Sequence, residues 1–134
     1  MRRVADAGPA NLRDADAAVA RSAVAGGGLV LLDFAASWCG PCRSLVPVIA
    51  DLASRHPALT VLKVDLDRDV ELADAYGVRS VPAFLLFKGG ACVERATGKV
   101  PFVTLDRMGR AASMTGQQRR RPRLRRCLER VVAR

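Results

Sequence analysis

The sequence predicts an α/β fold with a central mixed β-sheet flanked by helices on both faces. Three observations predict it. Apolar runs at residues 29–35, 59–65 and 83–87 are separated by stretches of helical periodicity, which implies that the strands they form pair in parallel. Lys88-Gly89-Gly90 is a tight turn, which adds an antiparallel partner over 91–97. The chain has 134 residues, half of them apolar and 26% charged, which suits one globular domain with a modest core.

The elements follow in order. Residues 11–25 read as a helix capped by Asn11, with Leu12, Ala15, Val19 and Ala23 on one side and Gly26-Gly27-Gly28 at its end. LVLLDFA, residues 29–35, is a strand covered on both faces, interrupted by one acid, Asp33. Residues 43–55 form the second helix, with Leu45, Val48, Ile49 and Leu52 on one stripe and a kink at Pro47. LTVLKVD, residues 59–65, is a second buried strand, and 70–76 is a short helix ended by Gly77. AFLLF, residues 83–87, is the third strand, and 91–97 pairs back on it as an edge. Pro101 opens a last helix with Phe102, Leu105 and Met108 inward; Gly109 weakens its anchoring.

Charge divides the chain. Residues 1–106 hold 12 Lys+Arg and 12 Asp+Glu and are neutral, whereas 107–134 hold ten arginines against one acid, Glu129, and so carry the whole net charge of +9. A chain that is basic throughout, as a nucleic-acid-binding domain would be, is excluded. No apolar run reaches the roughly 18 residues of a membrane span. Arg2 and Arg3 are not followed by an apolar block, and Asp6, Asp14 and Asp16 follow instead, against a secretory or transit segment. A cytoplasmic location is expected, where structural disulfides are rare and cysteines ask for a chemical role.

Cys39-Gly40-Pro41-Cys42 sits between a strand and a helix. Positions i and i+3 share a helix face, so the two sulfurs can bond. The backbone N–H groups of a helix start stabilise a thiolate, and the thiolate is the nucleophile. Cys39, nearer the open end, is expected to attack, and Cys42, one turn inside, to resolve the mixed disulfide. Half of a zinc site is the competing reading. Zinc needs four ligands, usually in a second pair, and Cys92, Cys127 and His56 are scattered singles. No metal is expected. Cys92 reads as a small core residue or a regulatory thiol, and His56 as a surface residue.

LVLLDFAASWCGPCRSLVP resembles the active-site segment of thioredoxins, at Asp33, Phe34, Trp38, the CGPC turn with Gly40 and Pro41, and Pro47. DLDRDVELADAYGVRSVPAFLLFKGG resembles the family's second signature, with Pro82 as the proline opposite the active site. The resemblance covers about residues 11–108 and implies a thioredoxin-like fold. It implies that Trp38 shields the dithiol, and that Lys63 lies near Asp33. It also implies that Pro82 is cis, leaving the carbonyl and N–H of Val81 to meet a substrate chain as in strand addition, and that Gly98 keeps that groove open. Asp33, buried among apolar residues, would have a raised pKa and exchange a proton with Cys42. Ala35 stands where many members have Trp, and Ala83 where Thr is usual.

The implied activity is reduction of protein disulfides by a monomer that binds no cofactor and is recharged by a thioredoxin reductase, with NADPH acting only through that reductase. The alternative is a binding module whose tail docks to an acidic partner or surface. The domain is expected over 1–112 and an Arg-rich tail over 113–134. In the tail Leu124, Cys127, Leu128 and Val131 have the spacing of a basic amphipathic helix, which could meet nucleic acid or an anionic surface. Its low apolar content favours disorder, and AASMTGQQ resembles a phage-derived epitope tag.

Overall fold

The computed structural model describes residues 8–112. Five strands, β1 Leu12–Asp14, β2 Leu29–Ala35, β3 Leu59–Asp65, β4 Ala83–Lys88 and β5 Ala91–Thr97, form one sheet in the order β1-β3-β2-β4-β5. The β1–β3 and β3–β2 pairs are parallel, and the β2–β4 and β4–β5 pairs are antiparallel. The helices are α1 Ala17–Ala25, α2 Gly40–Ser44, α3 Val46–Arg55, α4 Val70–Ala75 and α5 Phe102–Ala112. The expected parallel pairing thus holds for β2 and β3 but not for β4, which the long connection through α4 returns to β2 in the opposite direction.

The alternation of β2 divides its side chains between two cores. Val30, Leu32 and Phe34 pack with Leu62, Val64, Leu85 and Phe87, under Ala20 and Val24 of α1 and Leu72 and Ala73 of α4. Leu31 points the other way and packs with Val61, Phe84 and Leu86, under Ile49 and Leu52 of α3 and Leu105 and Met108 of α5. Each fully buried Leu or Phe removes enough apolar surface from water to contribute about 2 kcal/mol. Two covered faces are why the strands read as unbroken apolar runs.

Several local expectations are corrected. The helix expected over 11–25 begins only at Ala17, capped by Asp16, whose Oδ1 accepts the Val19 N–H at 2.9 Å. Residues 12–14 instead form β1. Asn11 does not cap. Its Nδ2 donates to the carbonyls of Ala53, His56 and Leu59 at 3.0, 3.1 and 2.6 Å, fastening the end of α3 to β1.

The second helix starts earlier than expected, at Gly40, and is interrupted at Leu45. Pro47 has no N–H to donate back to the Arg43 carbonyl, and the break lies two residues before it.

His56 is not a surface residue. Its Nε2 lies 2.8 Å from Asp106 Oδ1, with side-chain exposures of only 11% and 16%. The imidazole also explains Gly109: a Cβ there would come within 2.7 Å of His56 Cδ2. Gly109 therefore anchors α5 by close approach. Arg110 pairs with the same Asp106, and the Arg55 guanidinium lies 5.2 Å over the Phe102 ring.

At the β4–β5 turn, Gly89 and Gly90 take φ of 63° and 84°, which other residues adopt only with strain. The register slips between Leu86 and Phe87, which face Glu94 and Cys92, so Val93 is the extra residue of a bulge on the edge strand.

Candidate active site

The C-terminal end of β2 delivers the chain to a short loop and then to α2. Cys39 is the N-cap of that helix, and its Sγ accepts the Cys42 backbone N–H at 3.1 Å. Gly40 and Pro41 occupy the first helical positions, where the missing proline N–H costs nothing. This turn places the two Cα atoms 5.2 Å apart, and Cys39 and Cys42 are joined as a disulfide. Both are buried, at 4% and 8% exposure, so exposure does not separate them. Position does: Cys39 lies outside the helix and receives an N–H, while Cys42 lies within it.

The apolar surround of the sulfurs is Ala36 with the partly buried Ala35, Leu66 and Val81. Trp38, next to Cys39 in the chain, is 63% exposed, and its Nε1 donates to Asp67 Oδ2 at 2.8 Å, which ties the redox loop to the turn after β3. Sequence reasoning missed Asp67. The signal was the acid-rich DLDRD segment that follows β3.

Opposite the disulfide, the Val81–Pro82 peptide bond is cis, and the Val81 carbonyl oxygen lies 3.8 Å from Cys39 Sγ. The Val81 N–H has no hydrogen-bond partner among the described residues. The Pro82 carbonyl accepts the Gly98 N–H at 2.7 Å. Gly98 has φ of 92°, and a Cβ there would meet nothing within 4 Å. An extended chain could therefore reach the Val81 backbone from open space.

Asp33 is the buried acid of the described residues, at 5% exposure. It points to the α3 side of the sheet, two residues after Leu31, with Lys63 of β3 and Phe84 of β4 as its register partners. Burial pushes its pKa up to about 7, and the Lys63 charge pulls against that shift. A group titrating there can hold or release a proton at neutral pH. The register partner of Asp33, Lys63, lines a cavity of about 260 Å³ together with Ala35, Ala36 and Ser37, among others. Ala35 contributes only a methyl group to it.

The structure thus brings Cys39, Cys42, Gly40, Pro41, Trp38, Val81, Pro82 and Gly98 to one end of the sheet, with Asp33 and Lys63 beneath. Among the described residues, no group of three or more His, Cys, Asp or Glu side chains is placed to hold a metal, and no helix is long and apolar enough to cross a membrane. Cys92 is buried in the core on the α1 side. The tail, with Cys127, lies outside the described residues.

The thioredoxin family model matches residues 15–108. The chain is 52% identical over 71 residues to a thioredoxin of Chlamydia trachomatis, covering 53% of this chain and 70% of that one. It is 44% identical over 78 residues to thioredoxin 1 of a Nostoc species, covering 58% and 73%. Among solved structures it is similar to a mutant thioredoxin from Halobacterium salinarum, with a TM-score of 0.74, 33% identity and coverage of 81% of this chain and 96% of that one. For Fasciola hepatica thioredoxin the TM-score is 0.67, with 35% identity and coverage of 73% and 97%.

Proposed function

The chain belongs to the thioredoxin family, a family of protein-disulfide oxidoreductases, and from that premise we propose that it reduces protein disulfides with Cys39 attacking and Cys42 resolving. The Cys39 thiolate attacks one sulfur of a substrate disulfide. A mixed disulfide forms and one substrate thiolate leaves. The Cys42 sulfur then attacks Cys39 Sγ, closing the Cys39–Cys42 disulfide and releasing the second substrate thiolate. Two electrons pass to the substrate, and the protein is left in the oxidised state seen here.

The observation that carries this assignment is the Cys42 N–H donated to Cys39 Sγ at 3.1 Å. It stabilises negative charge on Cys39, whereas Cys42 receives no such bond among the described residues. Asp33 takes the proton that Cys42 must lose before it can attack. Its raised pKa, about 7, suits that exchange near neutral pH. The open edge at Val81, Pro82 and Gly98 holds the substrate backbone while the sulfurs react, as in strand addition.

Thioredoxins work through their dithiol without a bound cofactor, and NADPH reaches them through a reductase. A thioredoxin reductase and disulfide-bearing proteins are therefore the partners in this reading. The cytoplasm is its compartment, because a supply of reductant keeps thiols reduced there. Residues 1–112 act as a monomeric catalytic domain, and 113–134 stand outside the catalysis. The binding-module reading places its docking element in that tail, outside the described residues, and nothing among the described residues favours it.

Coupled turnover tests the proposal. With a thioredoxin reductase and insulin, NADPH should be consumed in proportion to the disulfide reduced. Insulin left intact, with both dithiothreitol and the reductase as donors, would refute it.

A further inference from the structure

Three charged residues stand in one row across the sheet. Asp14 of β1 is the register partner of Lys63 in β3, and Lys63 is the register partner of Asp33 in β2. Neighbouring strands lie about 4.8 Å apart, so Lys63 stands midway between carboxylate-bearing positions about 10 Å apart. All three lie on one face, because Leu12, Val61 and Leu31, each two residues earlier, share a cluster. The row runs from water to core: Asp14 is exposed, Lys63 half-buried and Asp33 buried.

Asp14 is held in this register by its neighbour. The Ala15 N–H donates to the Lys63 carbonyl at 2.9 Å, and the Ala15 carbonyl accepts from Arg68 at 2.7 Å. The cavity beside Ala35 is lined by both Asp14 and Lys63, with Asp65 and Arg68 as the other charged groups. Arg68 is engaged by Asp69, and Asp65 accepts the Asp67 N–H. The row therefore leaves Lys63 between Asp14 and Asp33.

We propose that Asp14 is a positioning residue for the redox reaction, drawing the Lys63 ammonium toward the cavity mouth and away from Asp33. The role rests on the reading of Asp33 as proton carrier. With Asp14 ionised, Asp33 feels less of the Lys63 charge and keeps its proton to higher pH. Asp14→Asn frees Lys63 to turn toward Asp33, which then ionises at lower pH. Loss of the Asp14 charge also acts on Asp33 directly and with the same sign. Across about 10 Å of well-hydrated path that direct effect is only about 0.3 pH units.

The test is a carboxyl-carbon NMR titration of the reduced full-length chain with labelled aspartate, the Asp33 signal being assigned by its loss in Asp33→Asn. Asp14→Asn should lower the Asp33 midpoint by about 0.5–1 pH unit. In a Lys63→Met background the same change should move it by no more than about 0.3 units. An unmoved midpoint, or an equal shift in both backgrounds, overturns the part given to Asp14. The pH profile of insulin reduction is measured on the same variants and should follow the midpoint. A midpoint that moves while the profile does not would overturn the role in the reaction, through failure of Asp33 as the carrier.

Discussion

The Val81 carbonyl oxygen lies 3.8 Å from Cys39 Sγ, across from the start of α2. The contact joins two parts of the chain separated by 42 residues, one carrying a sulfur of the redox pair and the other an open backbone edge. A substrate strand laid on that edge would bring its own disulfide against Cys39. Recognition through main-chain hydrogen bonds reads little of the substrate's sequence, which suits a reductant of varied proteins.

Gly98 should be intolerant of a side chain for two reasons. At φ of 92° an L-residue is strained by about 1–2 kcal/mol, and its Cβ would project into open space that the substrate is proposed to use. Gly98→Val is expected to lower the urea midpoint modestly and to cut kcat/KM for insulin by at least about tenfold, as loss of a binding contact worth about 1.4 kcal/mol does. Stability loss with unchanged kcat/KM would remove Gly98 from the groove.

Asp33 should make stability depend on pH in a definite direction. Folded, its pKa is about 7; unfolded, it returns to about 3.9. Between these values the folded chain binds more proton, so stability falls as pH rises, and the loss is complete above about pH 7. Asp33→Asn should match the parent near pH 4 and exceed it by about 2–4 kcal/mol near pH 8, read from urea unfolding of the oxidised form. It should also slow substrate release about tenfold or more near neutral pH. A rate unchanged over roughly pH 6 to 8 would remove the proton-carrier role.

Gly109 and His56 should be coupled. Within a helix, Gly→Ala ordinarily gains about 1 kcal/mol. Here the new Cβ would meet the His56 ring at 2.7 Å and displace it from Asp106. Gly109→Ala is expected to cost about 1 kcal/mol in the parent and to gain stability in a His56→Ala background. Thermal melts of the four proteins form the cycle, and additive effects would refute the coupling.

How legible these features were in the sequence depends on their range. The long strands were legible because both faces of β2 and β3 are covered, which leaves unbroken apolar runs. The redox turn was legible because its chemistry is confined to four consecutive residues, 39–42. β1 was not, because three residues show no period and Asn11 resembles a cap. Its actual partners, Ala53, His56 and Leu59, are more than 40 residues away. Gly109 read as a weak point and His56 as surface because what explains them is distant in sequence: Gly109 packs on the His56 ring, and His56 meets Asp106 fifty residues on. The partner of Trp38, Asp67, was not legible because it lies 29 residues away, beyond β3.

The tail should be dispensable for catalysis. Every residue assigned to the site lies between 33 and 98, in the part of the chain whose charges sum to zero. Truncation after Ala112 is expected to leave insulin reduction within about twofold, since no transition-state contact is removed. Any binding to nucleic acid or anionic lipid that disappears on truncation should weaken steeply with salt. A truncated chain with an unchanged melting temperature but no activity would show that the tail serves the site.

The most direct measurement of the assigned order is mass spectrometry of single-cysteine variants after exposure to a protein disulfide. Cys42→Ser should accumulate a covalent adduct, because Cys39 attacks and nothing resolves the mixed disulfide. Cys39→Ser should form none and should be inactive in insulin reduction. An adduct that forms with Cys39→Ser and not with Cys42→Ser would contradict the account, reversing the roles of the two sulfurs.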